Sequence, residues 1–290
     1  MSIKTILAPM LFGAPGAGAL APALTVAEKI NAHLVGLHIR PSPMQQAPYV
    51  YPPFVISYVT ETSGEFAQQC DDRAQELRNA FDEACAKRKV PVILPSEHDP
   101  VKGVSASWRD EKGALPYDYG CWARVSDLTV MAALGEGASS EDMAYAEEIV
   151  FQSGAPVLFA TAENLPEFPE TAVIAWNGGL ESSRALRAAI PLLQLMRQTT
   201  VLTIGDVAPG APTPEQAADF LQMHGVHAVH ETLSASGKRA EDLLSAAVGD
   251  KDAGLVVMGA YSHNRWREAV LGGFTRHMLR QSAIPVLMAH

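Results

Sequence analysis

Two tandem doubly wound α/β domains, each with a five-stranded, mainly parallel sheet, are what this sequence predicts, and three observations carry the prediction. Short apolar runs bounded by glycine and proline alternate with longer helical stretches, the pattern of parallel βαβ units. The chain also repeats itself. Asp127-Leu-Thr-Val-Met-Ala132, then a helical stretch and Ser153-Gly-Ala-Pro-Val-Leu-Phe-Ala160, matches Gly254-Leu-Val-Val-Met-Gly259, then a helical stretch and Ser282-Ala-Ile-Pro-Val-Leu-Met-Ala289. Between the copies lies Ala162-Glu-Asn-Leu-Pro-Glu-Phe-Pro-Glu170, whose two prolines and three acids read as a short exposed linker. The expected division is 1–163 and 164–290.

The first half opens on the strand Ile3-Lys-Thr-Ile-Leu-Ala8, followed by a glycine-rich turn with Gly13, Pro15, Gly16 and Gly18 that breaks any secretory h-region. A helix and the strand Leu34-Val-Gly-Leu-His38 follow. Residues 41–63, rich in proline and tyrosine, read as an irregular excursion ahead of a helix over 64–89. Strands at 127–132 and 153–160 complete this half. The second half reads as strands near 171–176, 199–204, 226–231, 254–259 and 285–289, with helices near 180–197, 213–224, 236–250 and 273–282.

A chain of 290 residues with 48% hydrophobic and 19% charged residues fills real cores. Its net charge of −10 argues against nucleic acid or an anionic membrane as a partner over any broad surface. No segment reaches the roughly 18 to 20 apolar residues of a membrane span, and a cytoplasmic location is expected. Cys70, Cys85 and Cys121 lack metal or disulfide spacing and read as reduced thiols.

The stretch Met258 to Thr275 carries the chemistry. A buried strand ends at Gly259, and Gly272-Gly273 opens a helix that runs to Arg280. Glycine at both ends lets backbone N–H groups approach an anion, and the helix dipole favours the negative charge. The same glycines also suit a helix start that holds no ligand. In an open parallel sheet ligands sit beyond the C-terminal strand ends, where Asn177-Gly178-Gly179, Gly205-Asp206 and Gly259 to Ser262 fall.

Gly259, then Ser262 three residues on, then Gly272-Gly273 after the longer spacing, a helix and Pro-Val-Leu resemble the universal stress protein pattern G-x2-G-x9-G-[S/T]. Ser262 stands for the second glycine and Gly273 for the Ser or Thr. The resemblance covers both halves and implies a Rossmann-like fold of the adenine nucleotide alpha hydrolase type, with the two halves paired as an intramolecular pseudo-dimer. It also implies a stress-response protein that binds ATP or a related adenine nucleotide, with Mg²⁺. On this reading Gly259 and Ser262 approach the ribose-phosphate side, and Gly272, Gly273 and Phe274 offer N–H groups to phosphates. Asn177, where the resemblance implies an acid, and Ile204 border the base; Ala175, Met258, Tyr261 and Thr275 complete the set. Arg265, Arg267 or Arg276 pairs with phosphate oxygens.

The first half lacks the second small pair after Ala133-Leu-Gly-Glu-Gly-Ala-Ser-Ser140, and Glu136, Glu141 and Asp142 would repel a triphosphate. It reads as a packing domain. His224, His227 and His230 invite a metal reading, but His227 and His230 sit three apart on an expected strand and point to opposite faces, which argues against it. Two further readings stand beside nucleotide binding. One is a scaffold without nucleotide, dimerising through edge strands with 285–289 paired across the interface. The other is a slow ATPase, for which only Asp206 and Glu268 lie near the site; no catalytic residue is assigned.

Overall fold

The computed structural model describes residues 2–11, 17–41, 63–99, 101–235, 237–260 and 273–290. The first half contains β1 (Thr5–Pro9), α1 (Leu20–Ile30), β2 (His33–Pro41), α2 (Ser63–Lys87), β3 (Ser105–Gly113), α3 (Tyr117–Ala123), β4 (Leu128–Ala132), α4 (Ser140–Gln152) and β5 (Val157–Ala160). The second contains β6 (Thr171–Ala175), α5 (Leu180–Leu193), β7 (Gln198–Ile204), α6 (Pro214–Met223), β8 (Ala228–Leu233), α7 (Ala240–Asp250), β9 (Leu255–Gly259), α8 (Gly273–Gln281) and β10 (Val286–Ala289).

These strands form one ten-stranded sheet in the order β3-β2-β1-β4-β5-β10-β9-β6-β7-β8. Each half is parallel throughout, and the halves join where β10 runs antiparallel to β5. In that pair Val286 faces Phe159, Leu287 faces Leu158 and Met288 faces Val157. A two-fold rotation exchanging the halves maps the first pair onto the third and the middle pair onto itself, so the pseudo-symmetry axis passes between Leu158 and Leu287. The strand 285–289 is therefore an interior strand, already bonded on both sides; it is not the free edge expected for pairing with a second chain.

Helices cover both faces, and among the described residues each half contributes two to each. On one face α1, α2, α5 and α6 bury Leu24, Phe81, Ala189 and Leu221; on the other α3, α4, α7 and α8 bury Tyr119, Ile149, Leu244 and Met278. The strands between are apolar on both faces, as a sheet covered twice requires. Among the described residues no helix is long and apolar enough to cross a membrane.

Three expectations need correction. The sequence reading left out β3 and α3 altogether. β3 pairs with β2 over nine residues, His33 with Ser105 through Pro41 with Gly113. Its outer half, Trp108-Arg-Asp-Glu-Lys112, is mostly polar because β3 lies at the side of the sheet, where these residues are partly to fully exposed. β8 starts at Ala228 because Gly225 (φ 76°) turns the chain and the Val226 N–H still belongs to α6, donating to the Leu221 carbonyl at 3.0 Å. The linker is not simply exposed either. Leu165 is buried, and the Lys29 ammonium sits 5.5 Å from the centre of the Phe168 ring. The glycine-rich turn at 12–16 and most of the 41–63 excursion lie outside the described residues.

Candidate functional site

In both halves the chain moves outward from the first strand, β1 or β6, and then returns to its other side as β4 or β9. The crevice beyond the C-terminal ends of β1 and β4, and of β6 and β9, is thus a topological switch point, where ligands of such sheets sit. In the second half the register sets Ala175 beside Met258 and beside Leu202, with Ile204 at the end of β7. Because α5 and α8 each run back from this end of the sheet, both present their N-termini here, on opposite faces.

The turn after β6 is built locally. Gly178 adopts φ 74°, and a Cβ there would meet Ala211 at 2.7 Å and the Pro212 carbonyl at 3.3 Å, so the loop after β7 folds down on it. Trp176 is buried and donates its indole N–H to that same Pro212 carbonyl at 2.9 Å, which makes it a core residue. Asn177 is exposed, and its Oδ1 accepts the Gly179 N–H at 2.9 Å. One lone pair of the side-chain oxygen serves its own turn; its second lone pair and the amide Nδ2 donors are left to read a base. Gly179 caps α5 without a side chain, so no protein group among the described residues caps the first-turn N–H groups.

The other sequence-predicted residues divide. Ala175 and Ile204 are half-buried at the open end of the sheet. Gly259 has a packing reason to lack a side chain: a Cβ would lie 2.5 Å from the Ser182 nitrogen and 2.6 Å from the Glu181 carbonyl carbon. The first turn of α5 lies on the end of β9, and this glycine makes room for helix backbone. Met258 and Thr275 are buried, so neither side chain faces a crevice, and Phe274 packs against the α3–α4–α7–α8 core. Gly273 is exposed, with open space where a Cβ would go. Tyr261, Ser262 and Gly272, with Arg265 and Arg267, lie outside the described residues.

Burial pushes the Glu147 carboxyl of α4 up, and the guanidinium of Arg276 pulls it back. Arg280 donates from Nη2 to the Ala138 carbonyl of the first half at 3.1 Å. Arg280 thus lies against the first half, while Arg276 is exposed and its charge is felt at Glu147.

The two switch points differ sharply. Matching backbone bonds align them: Met10 N–H to Leu37 C=O at 2.7 Å corresponds to Trp176 N–H to Leu202 C=O at 2.8 Å, and Ala133 to Ala160 corresponds to Ala260 to Ala289. Pro9, Met10 and Leu11 thus occupy the places of Ala175, Trp176 and Asn177, and Ile39 that of Ile204. Pro9, Leu11 and Ile39 are buried, whereas Ala175, Asn177 and Ile204 are half-buried or exposed. Tyr119 of α3 closes the first half. Fully buried, it donates its hydroxyl to the Met10 carbonyl at 3.0 Å and accepts the Ile39 N–H at 3.1 Å. Burial in this position pushes its phenol far above the usual range. His38 donates from Nδ1 to the same carbonyl at 2.9 Å; the Thr203 hydroxyl serves the Trp176 carbonyl in its stead, also at 2.9 Å. Sequence reading missed Tyr119, although aligning Thr5 with Thr171 would have shown Leu11 where the second half has Asn177.

Comparison with solved structures follows this geometry. Over 99% of this chain and 96% of the other, the structure superposes on a universal stress protein from Archaeoglobus fulgidus DSM 4304 with a TM-score of 0.68 at 12% identity. The fold is that of the universal stress proteins. A protein from Pseudomonas aeruginosa UCBPP-PA14 assigned to the universal stress proteins is similar over 99% of this chain and 93% of its own, with TM-score 0.54 and 15% identity. A protein of unknown function from Pseudomonas aeruginosa PAO1 is similar over 99% and 92%, with TM-score 0.55 and 16% identity. The universal stress protein fold thus spans the full chain. No protein-family model and no curated protein sequence matches it.

Proposed function

We propose that this chain is a universal stress protein of two domains, 1–163 and 164–290, whose second domain binds an adenine nucleotide at the ends of β6, β7 and β9. The first domain keeps the same frame with its crevice filled. The observation that carries this reading is the asymmetry between aligned positions. Pro9, Leu11 and Ile39 are buried beneath Tyr119, while Ala175, Asn177 and Ile204 form an open rim.

The chemistry of the rim suits such a ligand. Ala175 and Ile204 offer half-buried apolar surface for a base, and the Asn177 amide donates to its edge. The uncapped first turn of α5 and the exposed Gly273 at the start of α8 supply backbone N–H groups to phosphate. ATP would arrive with Mg²⁺, which neutralises part of the triphosphate charge; Asp206, exposed after β7, and Glu181 in the first turn of α5 are acids at this rim. The reading is of binding, in which the ligand biases association or conformation, rather than of turnover.

Calorimetric titration with ATP and Mg²⁺ tests it. Filling the rim by Ala175→Phe is expected to abolish binding with the fold retained, and affinity equal to wild type would remove the assignment. One observation favours the scaffold reading instead: the Gly259 space is already taken by α5 backbone, so that glycine needs no ligand to explain it. Under that reading neither ATP nor Ala175→Phe produces any response.

A further inference from the structure

Four side chains of the first half form a line of hydrogen bonds remote from the switch point. Ser107 Oγ lies 2.8 Å from His33 Nε2, His33 Nδ1 lies 2.8 Å from Ser105 Oγ, and Ser105 Oγ lies 2.7 Å from His98 Nδ1. His33 and Ser105 begin adjacent strands in register, and both are almost wholly buried. His98 comes from beyond the sheet, just after the short 3₁₀ turn Pro95–Glu97. Its Nε2 is buried with no partner.

That loose end matters because of what His98 holds down. Residues 91–93 run along the outer side of β3, where Val92 bridges Ala106, the Ile93 N–H donates to the Ala106 carbonyl at 2.8 Å, and the Ala106 N–H donates to Pro91 at 2.9 Å. The segment covers β3, which would otherwise present an open row of N–H and C=O groups. The His98–Ser105 bond ties the far end of this cover to the sheet.

We propose that the Ser107–His33–Ser105–His98 chain is an acid-released latch that holds residues 91–98 over the edge strand β3. The hydrogen positions impose the logic. With both imidazoles neutral, each hydroxyl donates once and the line closes in either direction. One direction leaves an N–H at His98 Nε2, and the other leaves a lone pair. An added proton fixes the second direction and sits at that lone pair, because both His33 nitrogens are engaged. The result is a buried imidazolium with one donor unpartnered, a costly state that ends when the 95–98 turn moves into water.

Among the described residues, the nearby carboxylates already accept other donors. Glu97 accepts the Leu94 N–H, Asp99 accepts the Val101 N–H and lies 4.0 Å from Lys102, and Asp127 accepts the Lys4 and Thr5 amides. Arg109, further along β3, sits over the Trp122 ring at 4.7 Å. Burial, with the neighbouring His98, also drives the His33 imidazole down to about 4, which keeps the inner link neutral.

Hydrogen exchange of the full-length protein, read by NMR between about pH 7.5 and about pH 5 and corrected for intrinsic rates, tests the latch. Protection of the Ile93 and Ala106 amides is expected to fall with acid, by up to about tenfold per pH unit for one linked proton. The core amides of Leu7 and Val130 fall only by the global loss of stability that urea midpoints give over the same range, less steeply than Ile93 and Ala106. A His98→Asn variant, which retains a neutral donor, should hold constant protection at Ile93 and Ala106 over the same range. Constant protection in the wild type, or the same acid loss in His98→Asn, would overturn the proposal. Side-chain ¹⁵N shifts give a second reading: His98 must take up its proton as Ile93 opens, and a His98 that stays neutral throughout that opening contradicts it.

Discussion

The Tyr119 hydroxyl donates to the Met10 carbonyl across 3.0 Å and so closes, in the first half, the end of the strand whose counterpart in the second half stands open at Asn177. The aromatic side chain comes from the seven-residue helix α3. Removing its hydroxyl by Tyr119→Phe leaves the buried Ile39 N–H without an acceptor, because the Met10 carbonyl keeps His38 but Ile39 has no second partner among the described residues. The expected cost is about 1–3 kcal/mol by chemical denaturation, with affinity for ATP unchanged. A loss of affinity would place Tyr119 in the ligand site.

The two glycines at the candidate site answer differently to a methyl group. Gly259→Ala forces a Cβ into the first turn of α5, where backbone rather than a flexible side chain must give way, and a loss of about 1–3 kcal/mol is expected. Gly273→Ala has open space and lies in a helix, so stability should hold or rise slightly. Equal effects of the two changes, read by denaturation midpoints, would contradict the packing account of Gly259.

Leu158 and Leu287 meet on the pseudo-two-fold axis, both buried in the middle of the sheet. Because their surroundings are related by that axis, Leu158→Ala and Leu287→Ala should destabilise by similar amounts, about 2–5 kcal/mol each. A large loss from one and almost none from the other would mean that the halves do not share one core.

Acid should weaken the fold through His33. Its pKa is lowered from 6.5 unfolded to about 4 folded, so between these values the unfolded chain binds a proton that the folded chain does not. The stabilisation is complete above pH 6.5, falls as pH drops towards 4 and is constant below; the full difference is about 3 kcal/mol. Urea midpoints measured across this range should decline with acid, and a His33→Asn variant should flatten the decline. Parallel slopes in the two proteins would assign the acid sensitivity to other groups.

Much of the fold was legible because its strongest signals are doubled. Pro156-Val-Leu158 and Pro285-Val-Leu287 open matching strands, and the serines before them, Ser153 and Ser282, make the same turn back to Ala155 and Ile284. What escaped was set by tertiary position. β3 carries Arg109 to Lys112 because one side of it has no further strand of the main sheet, so its pattern does not read as a buried strand. The place of 285–289 depends on its partner β5, some 130 residues earlier, which a local apolar run does not reveal. At the site, Gly259 announced a close approach, but the sequence does not say whether ligand or helix comes close; here it is helix α5.

Calorimetric titration of the purified chain with ATP and Mg²⁺, in wild type and in Ala175→Phe, bears most directly on the central claim that only the second half offers an open site. One nucleotide bound per chain, and none in the variant, is the predicted result. Two nucleotides per chain would show that Tyr119 does not close the first half, and no binding at millimolar ATP would contradict nucleotide binding altogether.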